Sequence, residues 1–384
     1  MLVLRKLEEN YRPLNILKMQ KVSSSYMTSF GRQGTSISIS ILKAIIRNKS
    51  REFQTILSQN GKESNDLLQY IFQNPSSPGS IAVCSNLFYQ LYQILSNPSD
   101  PQDQAPKNMT KIDAPDKKDN EQCYLLGHSL GELTCLSVNS LFSLKDLFDI
   151  ANFRNKLMVT STEKYLVAHN INRSNKFEMW ALSSPRATDL PQEVQKLLNS
   201  PNLLSSSQNT ISVANANSVK QCVVTGLVDD LESLRTELNL RFPRLRITEL
   251  TNPYNIPFHN STVLRPVQEP LYDYIWDILK KNGTHTLMEL NHPIIANLDG
   301  NISYYIHHAL DRFVKCSSRT VQFTMCYDTI NSGTPVEIDK SICFGPGNVI
   351  YNLIRRNCPQ VDTIEYTSLA TIDAYHKAAE ENKD

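Results

Sequence analysis

Glycine is scarce, with 12 residues in 384, and charge of either sign barely prevails, with 39 Lys and Arg against 38 Asp and Glu. Because glycines are so few, two of them standing close together call for a physical reason. The charge balance, with no long Lys/Arg block, removes the electrostatic footprint of a nucleic-acid binder, although local basic patches remain able to dock an acidic partner. There is no run of about 18 consecutive apolar residues, so no membrane span is expected. There is also no C-x-x-C pair. The eight cysteines (Cys84, Cys123, Cys135, Cys222, Cys316, Cys326, Cys343 and Cys358) have no recurrent spacing and lie mostly within apolar runs. That pattern speaks against a zinc site and for reduced, buried thiols of an intracellular protein. The length leaves room for one large domain with a smaller one inserted, or for two ordinary domains.

The first 29 residues hold five Lys/Arg against two acids and end in Ser and Thr. This leans towards an organelle-targeting leader; Glu8 and Glu9 point instead to an amphipathic surface helix. Downstream of Gly34, "TSISISILKAIIRN" could start as an alternating strand, but its later apolar spacing and basic end favour a helix; another helix is predicted over 80–96, and 97–122 is a Pro-, Asp-, Lys- and Asn-rich exposed insertion. "CYLLG" then reads as a strand, followed by helices over about 130–140 and 143–158. From about 160 to 252 the predicted order is strand, helix, strand, strand, helix, strand, the ferredoxin-like arrangement. Long helices at about 259–280, 302–314 and 345–356 alternate afterwards with "PIIANL", "SICFG" and "TIEYTSL". The fold expected is α/β: a large α/β-hydrolase-like domain with a mainly parallel sheet covered on both faces, carrying an inserted ferredoxin-like subdomain. The boundaries expected are an extension at 1–29, the large domain at 30–159 and 253–384, and the small one at 160–252.

The chemistry centres on "GHSLGEL", residues 127–133. Gly127 and Gly131 flank Ser129 at the spacing of a nucleophile elbow, where small residues let a strand turn sharply into a helix and expose the hydroxyl. A glycine-serine turn that merely ends a strand would look the same in five residues. The apolar "CYLL" before it and the helical pattern after it favour the elbow, and the Leu130 amide at the helix start becomes a natural oxyanion donor.

"GHSLGE" resembles the serine motif of the malonyl-coenzyme A:acyl carrier protein transacylases and of the acyltransferase domains of fatty-acid and polyketide synthases. Further stretches resemble that family's motifs in the same order: "RQGTS" (32–36), "NFRNKLM" (152–158), "IPFHNS" (256–261), "TVQFT" (320–324) and "FGPGNVI" (344–350). The resemblance implies a Ser129/His259 dyad in which the imidazole is the base, oriented by a main-chain carbonyl near Gln322. It implies that Arg154 holds the free carboxylate of the malonyl group, that Gln33 gives the second oxyanion amide opposite Leu130, and that Asn215, Asn217 and Ser218 face the acyl pocket. Phe258 resembles the bulky residue of malonyl-selective members, and His128 is given a supporting role only. One motif departs from the pattern, since Phe30-Gly31-Arg32-Gln33-Gly34 stands where Phe-Pro-Gly-Gln-Gly is expected. Either the shifted glycine rebuilds the turn or this end has diverged.

The expected activity is transfer of a malonyl group from malonyl-coenzyme A to acyl carrier protein for fatty-acid synthesis, with no metal or redox cofactor. The expected location is mitochondrial, with cytoplasmic as the other option. Two rivals stay open: a serine hydrolase or thioesterase, and a silent relative that only binds the carrier.

Overall fold

The computed structural model describes residues 25–30, 37–61, 63–97, 122–172, 174–200, 210–333 and 337–381. In chain order its strands are β1 (Ser25–Phe30), β2 (Gln122–Gly127), β3 (Phe177–Ser183), β4 (Ser212–Ser218), β5 (Gln221–Leu227), β6 (Arg246–Glu249), β7 (Glu289–Ile295), β8 (Ile302–Tyr305), β9 (Val321–Gln322), β10 (Lys340–Phe344) and β11 (Asp362–Tyr366). They form an α/β structure with two mixed sheets.

The larger sheet has the order β11-β10-β1-β2-β7-β8 and is parallel from β11 to β7, with β8 antiparallel at the edge. Its apolar strands read as continuous runs because both faces are covered. Leu125 of β2 packs into the principal core and Leu126 into a second core on the other side. The helix Pro78–Ser96 lies in that principal core and is buried over most of its circumference. Pro78 opens it, a position where the missing N–H costs nothing, and Ser77 caps it by accepting from the Ser80 amide. All eight cysteines are free and buried. Among the described residues, no helix is long and apolar enough to cross a membrane.

The smaller sheet has the order β6-β3-β5-β4-β9, antiparallel except where β9 joins β4. The chain runs β3, helix Leu190–Leu198, β4, β5, helix Val228–Arg241, β6. The helices bury Leu190, Val194, Leu231, Leu234 and Leu238 against Trp180, Leu182 and Val224.

Several expected boundaries shift. β1 begins at Ser25, inside the segment assigned to the N-terminal extension, and forms a central strand between β10 and β2. Its serines are poor strand formers, but Tyr26, Thr28 and Phe30 are good ones, and a ladder on each side satisfies its backbone. The helix expected over 143–158 runs from Leu144 to Ala168, because no glycine or proline interrupts it and Met158 and Thr162 stay buried; the expected break at 159/160 therefore falls inside a helix. The helix expected over 259–280 is broken into Ser261–Leu264, a 3₁₀ turn at Arg265–Val267 and Gln268–Lys281, since Pro266 lacks the donor the ladder needs. Residues 302–305 of the helix expected over 302–314 pair with β7 as β8, and the helix starts at Ile306. Finally, β9 reaches into the small sheet from the part assigned to the large domain. Residues 1–24 and 98–121, most of the expected extension and insertion, lie outside the described residues.

If β1 is a central strand, Thr28→Pro removes a ladder donor and should lower the unfolding free energy by at least about 1–3 kcal/mol. A urea midpoint equal to that of the wild type would place residues 25–30 outside the sheet.

Candidate active site

β2 ends at Gly127, and the next helix, Leu130–Val138, starts three residues later. This turn brings the helix back so close that a Cβ on Gly127 would overlap the Gly131 carbonyl and the Glu132 amide. That overlap explains the first glycine of the motif. Ser129, at the apex, has φ 54° and ψ −106°, a conformation that costs a side-chain-bearing residue about 1–3 kcal/mol. Leu130 is the first helical residue, a position whose N–H has no intrahelical acceptor.

The hydroxyl of Ser129 lies 2.8 Å from Nε2 of His259, which comes from 130 positions further along the chain. His259 also has positive φ, 62°, so both partners are held in backbone conformations that only the surrounding structure can impose. The ring's other nitrogen, Nδ1, faces two carbonyl oxygens, Cys316 at 2.7 Å and Arg319 at 3.0 Å. Carbonyls only accept, so Nδ1 carries the hydrogen and Nε2 is left as the acceptor for the serine proton. Among the described residues, no carboxylate takes part. Burial pushes the imidazole down to about 4, the Arg154 cation pushes it the same way, and the two carbonyls only partly offset this. At neutral pH the ring is therefore a neutral base.

Arg154 projects from the long helix Leu144–Ala168 and is 1% exposed. Its Nε donates to Ser317 Oγ at 3.0 Å, and its guanidinium carbon sits 5.8 Å from the centre of the Phe313 ring. Ser317 adjoins Cys316, so one turn of chain orients both the arginine and the imidazole. Burial lowers the arginine to about 10, and it stays cationic. Glu132, also buried, is raised to about 8 by desolvation, offset in part by the Asn297 amide and by Arg154 and Arg312. It is mostly protonated near pH 7 and does not cancel the arginine's charge.

His128 turns away from the dyad. Its Nε2 lies 3.0 Å from Asn217 Oδ1 and its ring packs tilted against that of Phe323, with centroids 4.8 Å apart. Asn217 and Asn215 are buried in β4, where Asn215 registers with Val321 of β9, while Ser218 ends the strand half-buried. Phe258 is partly buried against the principal core beside His259. Gln322 donates its main-chain N–H to the Asn297 carbonyl at 2.7 Å, and the carbonyls that hold His259 belong to residues three and six positions before it. Gln33 and Arg32 lie outside the described residues.

Asn297 is the residue that the motif reading passes over. Its Oδ1 accepts the Ser129 N–H at 2.7 Å and its Nδ2 donates to the Gly127 carbonyl at 2.6 Å. The only sequence signal was an asparagine closing the apolar run "PIIANL".

No family model matches the chain. The chain is 98% identical over 358 residues, 93% of its length and 99% of the relative's, to "Malonyl CoA-acyl carrier protein transacylase, mitochondrial" of Saccharomyces cerevisiae. Among solved structures it resembles a malonyl CoA-acyl carrier protein transacylase from Clostridium perfringens, with TM-score 0.67 and 17% identity over 94% of this chain and 98% of that one. It also resembles a malonyl-transacylase solved in complex with a type II polyketide synthase acyl-carrier protein, with TM-score 0.66 and 15% identity over 92% of this chain and 100% of that one.

Acylation of Ser129 by a malonyl thioester should keep its rate as pH falls from 7 and lose it only near about pH 4, where His259 takes a proton. An acid limb near 6.5, the ordinary histidine value, would contradict the buried, neutral ring. Gly127→Ala should lower the unfolding free energy by about 3 kcal/mol, read from the urea midpoint, because the overlap is with backbone and cannot relax by a rotamer change.

Proposed function

The chain belongs to the malonyl CoA-acyl carrier protein transacylase family, and from that premise we propose how its residues carry a malonyl group from malonyl-coenzyme A to the phosphopantetheine thiol of acyl carrier protein for fatty-acid synthesis. The observation that carries the reading is the 2.8 Å contact between Ser129 Oγ and a His259 ring whose far nitrogen is occupied by carbonyls. In the first half-reaction Ser129 Oγ attacks the thioester carbonyl carbon while its proton passes to His259 Nε2. The oxyanion accepts hydrogen bonds from the Leu130 amide and, on the strength of the "RQGTS" motif, from that of Gln33. The carbon–sulfur bond then breaks and Nε2 returns the proton to the departing coenzyme A thiolate. In the second half the carrier's thiol gives its proton to Nε2 and attacks the malonyl-serine ester, the ester bond breaks, and Ser129 recovers the proton. These steps call on no metal or redox cofactor.

Arg154 supplies selectivity. A buried guanidinium can hold the malonyl carboxylate through two parallel charge-assisted bonds, and an acyl group without a carboxylate leaves that cation without its anion. Phe258 crowds a branched acyl group. Asn217 and His128 brace the elbow from β4, with Asn215 beside them. The mitochondrial location follows that of the yeast relative.

At finer detail, the larger sheet with its carboxyl-end serine supports an α/β-hydrolase-like description. The β3-to-β6 order supports a ferredoxin-like subdomain, with limits near 169 and 252 and with β9 lent by the large domain.

Incubation with malonyl-coenzyme A and intact-mass measurement tests this directly. The expected result is a malonyl adduct that is absent in Ser129→Ala and discharged by acyl carrier protein. Rapid loss to water would make the protein a hydrolase, and no adduct at all would make it a silent relative. Arg154→Ala should lose about 10²-fold or more in kcat/KM with malonyl-coenzyme A while gaining acetyl transfer; an unchanged acyl profile would remove that role.

A further inference from the structure

Asn297 stands just past the end of β7, fully buried, and its carboxamide oxygen, carboxamide nitrogen and main-chain carbonyl all meet partners at the site. Burying a carboxamide costs free energy unless its groups find partners, and here a donor and the acceptor are directed at the nucleophile's own turn. The Ser129 N–H and the Gly127 carbonyl, which bracket the elbow, are both held by this one side chain. Its main-chain carbonyl takes the Gln322 N–H. Gln322 registers with Ala216 of β4, and β4 goes on to Asn217, whose side chain meets His128. The hydrogen bonds therefore close a ring: elbow, Asn297, β9, β4 and back to the elbow. The same β9 segment follows directly on the Cys316–Arg319 turn that orients His259.

We propose that Asn297 is a positioning residue for acyl transfer, locking the elbow with its carboxamide and the β9 strand with its main-chain carbonyl so that Ser129 Oγ and His259 Nε2 meet. This rests on the proposed dyad. It adds a second consequence: the Ser129 N–H already has an acceptor, so it cannot serve the oxyanion, and the donor on the elbow side is Leu130. A merely structural asparagine would stabilise the fold in proportion to its hydrogen bonds and leave the chemistry of the folded enzyme alone.

The test uses the full-length protein with malonyl-coenzyme A, comparing wild type, Asn297→Ala and Asn297→Asp. Rapid-quench intact mass gives the rate of Ser129 acylation, and hydrogen exchange gives the protection of the peptide containing Gly127–Leu130. Asn297→Ala should lower the acylation rate of the folded fraction by about 10²-fold, the scale of a slight misplacement of reacting groups, with KM for malonyl-coenzyme A changed far less. The exchange protection at the elbow should fall. Asn297→Asp should be impaired at pH 8, where a carboxylate faces the Gly127 carbonyl, and should regain activity relative to wild type as pH falls towards 5. Protonation there restores one donor and one acceptor, while His259 is still neutral. A wild-type acylation rate in the folded fraction of Asn297→Ala overturns the proposal, and so does an Asn297→Asp deficit that is the same at every pH. Absence of an adduct on the wild type would instead count against the dyad, and the exchange arm then still decides whether Asn297 holds the elbow.

Discussion

The hydrogen bond between Ser129 and His259 is the constraint on which the rest of this structure turns. Its two members come from distant parts of the chain, and each occupies a positive-φ conformation that an isolated peptide would avoid. The cost is met by what surrounds them: a helix packed back onto Gly127, a carboxamide across the elbow and two carbonyls on the imidazole. Strain at the site and order in the scaffold are thus two sides of one arrangement. The larger sheet sets the serine at the carboxyl end of β2, the small sheet braces it through β4 and β9, and the end of helix Ile306–Cys316 with the turn after it orients the imidazole of His259.

Electrostatics follow from the same burial. Burial, seconded by the Arg154 cation, keeps His259 neutral, and the nearby Glu132 carboxyl is itself raised by desolvation. The site is therefore set for a neutral imidazole and a charged guanidinium at the same pH. That pairing suits a substrate bearing both a reactive thioester and a free carboxylate. Were Glu132 ionised, its negative charge would act against the Arg154 cation. The low-dielectric surroundings that make the base neutral also make the cation's preference for an anion strong.

Much of this was legible in the sequence, for identifiable reasons. The elbow could be read because a strand–serine–helix turn needs small residues at fixed spacing, and Gly127 is required by direct overlap. The strand-and-helix order of 177–249 could be read because each segment keeps its own period and ends at a turn. Less legible was whatever depends on partners far along the chain. β1 lies mostly within the segment read as an N-terminal extension, and only its ladders to two strands distant in the chain make it a central strand. β9 is two residues long and has no period of its own. The carbonyls of Cys316 and Arg319 carry no side-chain signature, so a base oriented by main chain leaves no residue type to recognise. Asn297 was overlooked for a related reason, since one asparagine after an apolar strand looks like a turn residue.

The tautomer of His259 tests the central claim most directly. Nitrogen-15 spectra of the imidazole, assigned with a His259→Gln control, should show Nδ1 bearing the hydrogen and Nε2 without one from pH 8 down to about 5. A proton on Nε2 at neutral pH, or a doubly protonated ring, would mean that the imidazole cannot accept from Ser129, and the account of the site would not survive it.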